Sequence, residues 1–280
     1  MVFLKRTSFL IGLMGFIAMT TIIACNRFPY ATTNQFYKKH TKELVKLLKE
    51  DPSIQTINQL SKAKDWVGTT NFDLRKPNFV VIHHTAQNSC EQTLKTFTLE
   101  RTKVSAHYVI CKDGTIHHML NDYMRAWHGG ISKWGNNIDL NSSSIGIELD
   151  NNGFEPFDSA QINSLLLLLA QLKENYKIPE ANFIGHSDIA PKRKVDPNIQ
   201  FPWVLLAQKG YGVWFEPDVK YTLPESISIP FALAMVGYDI KDTTAALLAF
   251  KRHFRADSTA VVTENDRSVL FQLIQNKLLH

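Results

Sequence analysis

No stretch of the 280 residues packs lysine and arginine densely enough to track a nucleic-acid backbone. The formal net charge of +5 includes Lys5 and Arg6 near the start, and so modest a balance suits an anionic polymer only weakly. A Gly-rich phosphate loop, a G-x-S-x-G turn and an H-E-x-x-H helix are all missing, so three common enzyme classes lose their signatures. Cysteine is scarce, at three residues: Cys25, Cys90 and Cys111. With 44% hydrophobic and 20% charged residues the chain is neither disordered nor fibrous in composition. It is long enough for one main domain with its own core and a smaller second one.

The first 25 residues carry an address. Lys5 and Arg6 precede an apolar run from Phe9 to Ala24, interrupted by Gly12, Gly15, Thr20 and Thr21. This is a signal-peptide pattern, and the run is somewhat shorter than the roughly 20 residues a membrane span wants. It ends in Ile22-Ile23-Ala24-Cys25, which resembles a bacterial lipobox with Cys25 as the acylated first residue of the mature chain. The competing reading is an uncleaved anchor with an incidental cysteine. Asn26, in the place where Asp would otherwise stand, resembles the outer-membrane sorting signal of enterobacterial lipoproteins. Beyond that address, Cys90 and Cys111 lie in an oxidising compartment, where a disulfide and two buried thiols are both open to them.

Residues 26–76 read as a tether followed by an amphipathic helix over Glu43–Lys49, ended by Asp51-Pro52. Phe79-Val80-Val81-Ile82 is a short unbroken apolar run that fits a strand buried on both faces. A helical stretch over Glu91–Arg101 comes next, then a strand over Ser105–Ile110. The turn Asp113-Gly114 leads that strand into Thr115–Met119 as a hairpin. Ser144–Leu149 is a further strand. Ile162, Leu165, Leu166, Leu169, Leu172 and Tyr176 fall at helical spacing between Asp158 and Pro179, and Asp158 with Gln161 resembles a capping box. Interleaved strands and helices give an α/β layer fold with a mixed sheet flanked by helices. After Trp214, Pro217, Pro224 and Pro230 punctuate the start of a small helical region. The expected division is therefore 1–25 signal segment, 26–76 tether, 77–216 main α/β domain and 217–280 helical domain.

Ten histidines are concentrated in mid-chain, several at strand ends, where functional residues are usually mounted. His83 and His84 close the first strand, and since neighbouring strand residues face opposite ways only one of them can readily serve a given metal. Phe183-Ile184-Gly185-His186 reads as a second strand ending in histidine, and Asp196 follows ten residues on. Two imidazoles and a carboxylate would leave one position of a tetrahedral zinc open for water, a chemistry suited to amide hydrolysis. Taken alone, each of these residues also reads as structural. Glu148 reads as a surface carboxylate on an edge strand, and Lys194 as a solvated member of Lys192-Arg193-Lys194.

Five segments in order carry a resemblance: Val81-Ile82-His83-His84-Thr85-Ala86, Ser105-Ala106-His107-Tyr108, Ala126-Trp127-His128-Gly129-Gly130, Ser144-Ile145-Gly146-Ile147-Glu148 and Gly185-His186-Ser187-Asp188-Ile189-Ala190-Pro191 through Asp196-Pro197. Over residues 78–214 the chain resembles the type 2 N-acetylmuramoyl-L-alanine amidases, which share the peptidoglycan-recognition fold. The lipobox and the helical C-terminal region resemble in particular the lipoprotein amidases of enterobacterial outer membranes. The resemblance implies one Zn2+ held by His83, His186 and Asp196, with Glu148 and Lys194 as the catalytic pair. Glu148 would take a proton from the attacking water and pass it to the departing amine, while Lys194 would stabilise the oxyanion.

The resemblance further implies a peptidoglycan or muropeptide substrate contacted by Trp127 and His128 in their Gly-bounded loop, although Trp127 and Trp134 could equally be core. His107, mid-strand, reads as a buried hydrogen-bonded residue, and His117 and His118 have no partner pattern. Leu233, Gly237-Tyr238-Asp239 and Ala249–Phe254 resemble the three-helix peptidoglycan-binding domain found beside wall hydrolases, with a structural cap as the plainer alternative. The chain is expected to be a monomer, held to the membrane by its lipid and facing the periplasm, with no nucleic-acid partner. The runner-up is a non-catalytic wall-binding protein of the same fold. Such proteins typically lose a zinc ligand, and this sequence retains all three.

Overall fold

A computed structural model of the protein describes residues 29–49, 68–74 and 76–279. The expected signal segment and the expected lipidation site Cys25 lie outside the described residues, and no helix among the described residues is long and apolar enough to cross a membrane. The described residues fall into two units, divided between Phe72 and Asp73. Within the first, Ala31–Leu48 is a helix (α1) with no buried residue.

The second unit is built on a sheet of β1 (Phe79–His84), β2 (Tyr108–Ile110), β3 (Ile116–His118), β4 (Ser144–Leu149) and β5 (Phe183–Gly185). Their order is β3-β2-β4-β1-β5, with only β3 antiparallel to its neighbour. The unbroken apolar run of β1 is explained by its central place: Val80, Val81 and Ile82 are fully buried between β4 and β5. The hairpin forms as expected, since Gly114 adopts φ +88°, and a Cβ there would stand 2.9 Å from the Ala160 carbonyl. The expected strand over 105–110 narrows to Tyr108–Ile110.

Strand parity decides which side chains meet. Val80 and Ile82 on β1, with Ile145, Ile147 and Leu149 on β4, face α3 (Ser159–Tyr176), whose Ile162, Leu165, Leu168, Leu169 and Leu172 complete the main core. Val81 turns the other way, into a smaller cluster with Leu140, Ile184, Ile189 and Ala190. His83 and Glu148 share that second parity, so both lie on the sheet face away from α3.

The capping box expected at the start of α3 does not form. Asp158 makes no side-chain cap. Gln161 is buried instead, and its Nε2 donates to the carbonyls of Ile110 (2.8 Å) and Asp150 (3.1 Å), satisfying backbone at the ends of β2 and β4. α2 (Cys90–Thr98) is capped by Ser89 and tied through a Cys90–Cys111 disulfide to the residue after β2, which resolves the alternative left by the sequence.

Two short helices follow β5: α4 (His186–Ile189) and α5 (Trp203–Gln208). The C-terminal region holds three helices, α6 (Ile229–Val236), α7 (Thr243–Arg255) and α8 (Glu264–Leu279). They enclose their own core of Leu233, Leu247, Phe250, Leu270 and Leu273, against which Trp134 and Trp214 also pack.

Candidate metal and catalytic site

His83 is the penultimate residue of β1, whereas His186 is the first residue of α4 rather than the last of its strand. The chain turns there because the Asp188 carboxylate accepts the Gly185 N–H (2.7 Å), ending β5 one residue early. The excursion to Asp196 closes on itself, with the Ser187 N–H donating to the Asp196 carbonyl (2.7 Å). Three side-chain atoms then converge. His83 Nδ1 lies 2.8 Å from His186 Nδ1 and 3.2 Å from Asp196 Oδ2, and His186 Nδ1 lies 2.9 Å from the same oxygen.

The protons on these rings follow from their other partners. Ser144 Oγ–H donates to the Leu140 carbonyl, so its oxygen accepts from His128 Nε2–H at 3.2 Å. His128 Nδ1 then accepts from His83 Nε2–H at 3.0 Å, which leaves His83 Nδ1 with a bare lone pair. His186 Nε2–H donates to the Gly129 carbonyl (3.2 Å), which leaves its Nδ1 bare as well. Two lone pairs and a carboxylate oxygen therefore face one another about 3 Å apart, an arrangement whose mutual repulsion a cation placed between them would relieve. The donor set of two nitrogens and one oxygen fits zinc with an open fourth position. Burial, reinforced by the neighbouring His186, lowers the His83 pKa to about 4, so the ring is neutral and free to ligate.

Glu148 stands beside His83 across the β1–β4 register, with Oε1 3.9 Å from Nδ1. It is no surface carboxylate, because β4 is flanked by β1 and β2 and the side chain is 13% exposed. Burial first, then the charge of Asp196, raise its pKa to about 8 against the opposing pull of Lys194. Its Oε2 is buried without a hydrogen-bond partner, an arrangement that structural carboxylates rarely tolerate.

Glu148, His186, Lys194 and Asp196 line one cleft of about 360 Å³. Trp127, Thr96, Phe97 and Val104 form part of its wall. Trp127 is 48% exposed, unlike Trp134, which packs edge-on against Tyr238. His128 also borders the cleft, but both of its ring nitrogens are engaged by His83 and Ser144. Its loop is held by Asn141, whose Oδ1 accepts the N–H groups of His128 (3.1 Å) and Gly129 (2.7 Å), and by Arg193, which donates to the carbonyls of Gly129 (2.7 Å) and Ile131 (2.9 Å).

His84 faces the opposite way and accepts the Asn198 N–H (3.0 Å). His107 is buried, with Nδ1 accepting the Gly146 N–H (3.0 Å) and Nε2–H donating to the Met124 carbonyl (2.9 Å). His118, for which the sequence offered no partner, lies 3.2 Å from Asp122 and stacks on Tyr108. Ser144, Asn141 and Arg193 escaped the sequence reading. One signal pointed to their neighbourhood, the glycine inside β4: a Cβ on Gly146 would stand 2.7 Å from His128 Nδ1, so the strand keeps that place empty for the imidazole.

A mixed sheet that carries, at one end of its parallel strands, a glutamate beside a His-His-Asp group able to hold a metal ion places the chain among the hydrolases of the α/β layer class. Residues 73–199 match the N-acetylmuramoyl-L-alanine amidase family. The chain is 35% identical over 209 residues to the N-acetylmuramoyl-L-alanine amidase AmiD of Escherichia coli K12, covering 63% of this chain and 74% of that one. It is 41% identical over 102 residues to the 1,6-anhydro-N-acetylmuramyl-L-alanine amidase AmpD of Haemophilus influenzae, covering 36% of this chain and 55% of that one. The solved complex of E. coli AmiD with anhydro-N-acetylmuramic acid-L-Ala-D-gamma-Glu-L-Lys superposes with a TM-score of 0.66 at 30% identity, over 75% of this chain and 93% of that one. The protein belongs to the type 2 N-acetylmuramoyl-L-alanine amidases.

Proposed function

We propose that this chain hydrolyses the amide between N-acetylmuramic acid and the L-alanine of peptidoglycan fragments, using one zinc ion held by His83, His186 and Asp196. The observation that carries this reading is the convergence of two imidazole nitrogens and a carboxylate oxygen beside a glutamate whose Oε2 is buried without a hydrogen-bond partner. When bound, zinc supplies Lewis acidity toward the scissile carbonyl and lowers the pKa of water. Glu148 takes the proton of the attacking water and returns it to the departing nitrogen, a role its raised pKa suits. Lys194 offers a fixed positive charge to the oxygen of the tetrahedral centre. Trp127 presents its exposed ring to the sugar, and His128 borders the same cleft, backing His83 through its ring nitrogens.

In this reading residues 1–25 direct export and Cys25 carries the lipid that holds the enzyme at the outer membrane, facing the periplasmic wall. Residues 77–216 act as the catalytic module, residues 217–280 as a helical module beside it, and the enzyme works as a monomer.

The test is digestion of purified muropeptides by the zinc-loaded full chain, with and without a chelator, read by mass spectrometry. Release of free stem peptide that stops on chelation and returns with zinc is the expected result. Muropeptide binding with zinc present and no stem peptide released would replace the enzyme by a binding protein of the same fold.

A further inference from the structure

Asp188 is fully buried two residues after His186, and its carboxylate oxygens have three partners. Oδ2 accepts the Gly185 N–H (2.7 Å) and the Nδ1–H of His253 (2.7 Å), and Oδ1 accepts the hydroxyl of Tyr238 (2.9 Å). Two of those donors come from the C-terminal helical region, His253 from α7 and Tyr238 from just beyond α6. Both are themselves immobilised. The His253 ring stacks on Trp203, with centroids 3.8 Å apart and planes 13° from parallel. Tyr238 meets Trp134 edge-on at 5.0 Å, while the Gly135 N–H donates to the Gly237 carbonyl (2.7 Å). Trp134 and Gly135 continue the loop whose Gly129 carbonyl accepts His186 Nε2–H. The helical region thus grips both segments that orient His186.

We infer that Tyr238 and His253 are positioning residues for the metal site, acting through Asp188, so that the helical region is an integral brace of the catalytic centre as well as a neighbour to it. This inference rests on the zinc reading of His83, His186 and Asp196. Asp188 sets the turn at Gly185, and that turn aims His186 Nδ1 at the other two ligand atoms. Without the helical region the carboxylate loses two of its three donors, and a buried carboxylate short of partners destabilises the turn it holds. A separable wall-binding module has no need to supply hydrogen bonds to the interior of its neighbour.

The experiment compares zinc affinity, by competition with a chelator of known strength, for the full-length wild type, Tyr238→Phe, His253→Gln and Leu273→Ala. Leu273 is buried in the helical core and makes no part of the Asp188 network, so it controls for general loosening. Thermal unfolding is recorded for all four. Tyr238→Phe and His253→Gln are expected to weaken zinc binding about tenfold or more, as losses behind metal-ligating histidines do, while Leu273→Ala lowers the midpoint with little change in affinity. Should His253→Gln fail to fold, Tyr238→Phe, which removes one hydroxyl, decides alone. Unaltered affinity in the two network variants, or an equal loss in Leu273→Ala, would overturn the inference while leaving the zinc reading intact. A wild type that takes no zinc would overturn both.

Discussion

His83 and Glu148 stand opposite each other on adjacent parallel strands, Nδ1 3.9 Å from Oε1, so the register of β1 against β4 alone sets the proposed metal ligand beside the proposed proton-transfer group. Because each reaches the site from rigid strand backbone, their roles can be separated by mutation. Glu148→Gln keeps the size of the side chain and removes its basicity. It is expected to lower kcat by roughly 10²- to 10⁴-fold with zinc retained. Asp196→Ala removes a ligand and is expected to lose the metal itself. Zinc content by atomic absorption alongside muropeptide turnover checks the pair, and metal loss in both variants would mean Glu148 is misassigned.

His107 predicts a pH dependence of stability. Burial, as the largest influence, lowers its pKa from 6.5 against the opposing contact with the Met124 carbonyl. The folded state therefore holds the ring neutral while the unfolded chain protonates near pH 6.5. The stability linked to this group is complete above about 6.5 and falls as the pH drops from there toward the lowered folded value, at no more than about 1.4 kcal/mol per pH unit. His107→Gln is expected to cost about 1–3 kcal/mol at neutral pH through its lost hydrogen bonds. The acid slope of its denaturant-melt stability should be shallower than that of the wild type between pH 6.5 and 5. Equal slopes would show that His107 titrates normally in the fold.

The disulfide joins the first residue of α2 to the chain just after β2, and α2 supplies Thr96 and Phe97 to the cleft. Closing a loop of 21 residues in sequence separation restricts the unfolded chain. Cys90→Ser with Cys111→Ser is thus expected to lower stability by about 2–4 kcal/mol. Calorimetry of the double variant against oxidised wild type measures this, and matching midpoints would mean the bridge adds nothing.

Much of the framework was legible because its signals are local. An unbroken apolar β1, the Asp113-Gly114 turn and the 3.6-residue spacing of α3 each report on a few neighbouring residues. The ligand set was not legible from spacing, since nothing in the sequence states that β5 ends at Gly185 or that His83 rather than His84 has the right parity relative to a distant aspartate. The family resemblance supplied that choice, and strand parity gives its physical reason. Gln161 misled because a residue three places into a helix can cap it or turn into the core, and here the carbonyls of Ile110 and Asp150 at the strand ends accept its amide N–H groups in the core. Asp188 was quoted within a motif yet left without a role, because its partners Tyr238 and His253 lie 50 and 65 residues away.

Gly146 offers the sharpest test of how tightly the site is built. It sits in the middle of β4, where glycine ordinarily weakens a strand, and the imidazole of His128 occupies the space a side chain would need. That imidazole accepts His83 Nε2–H and is anchored in turn on Ser144. Gly146→Ala must push the ring aside or bend the strand, and overpacking of this kind costs about 1–3 kcal/mol. If the ring moves, His83 loses the acceptor that fixes its tautomer, and zinc affinity falls with stability. Ser144→Ala leaves the ring in place but removes the acceptor of the buried His128 Nε2–H, so its effect on zinc should be smaller while it costs about 1–3 kcal/mol of stability. Chelator competition and thermal unfolding on both variants check the order. A Gly146→Ala protein with wild-type zinc affinity would mean that the His128 ring has room to yield and that His83 does not depend on it.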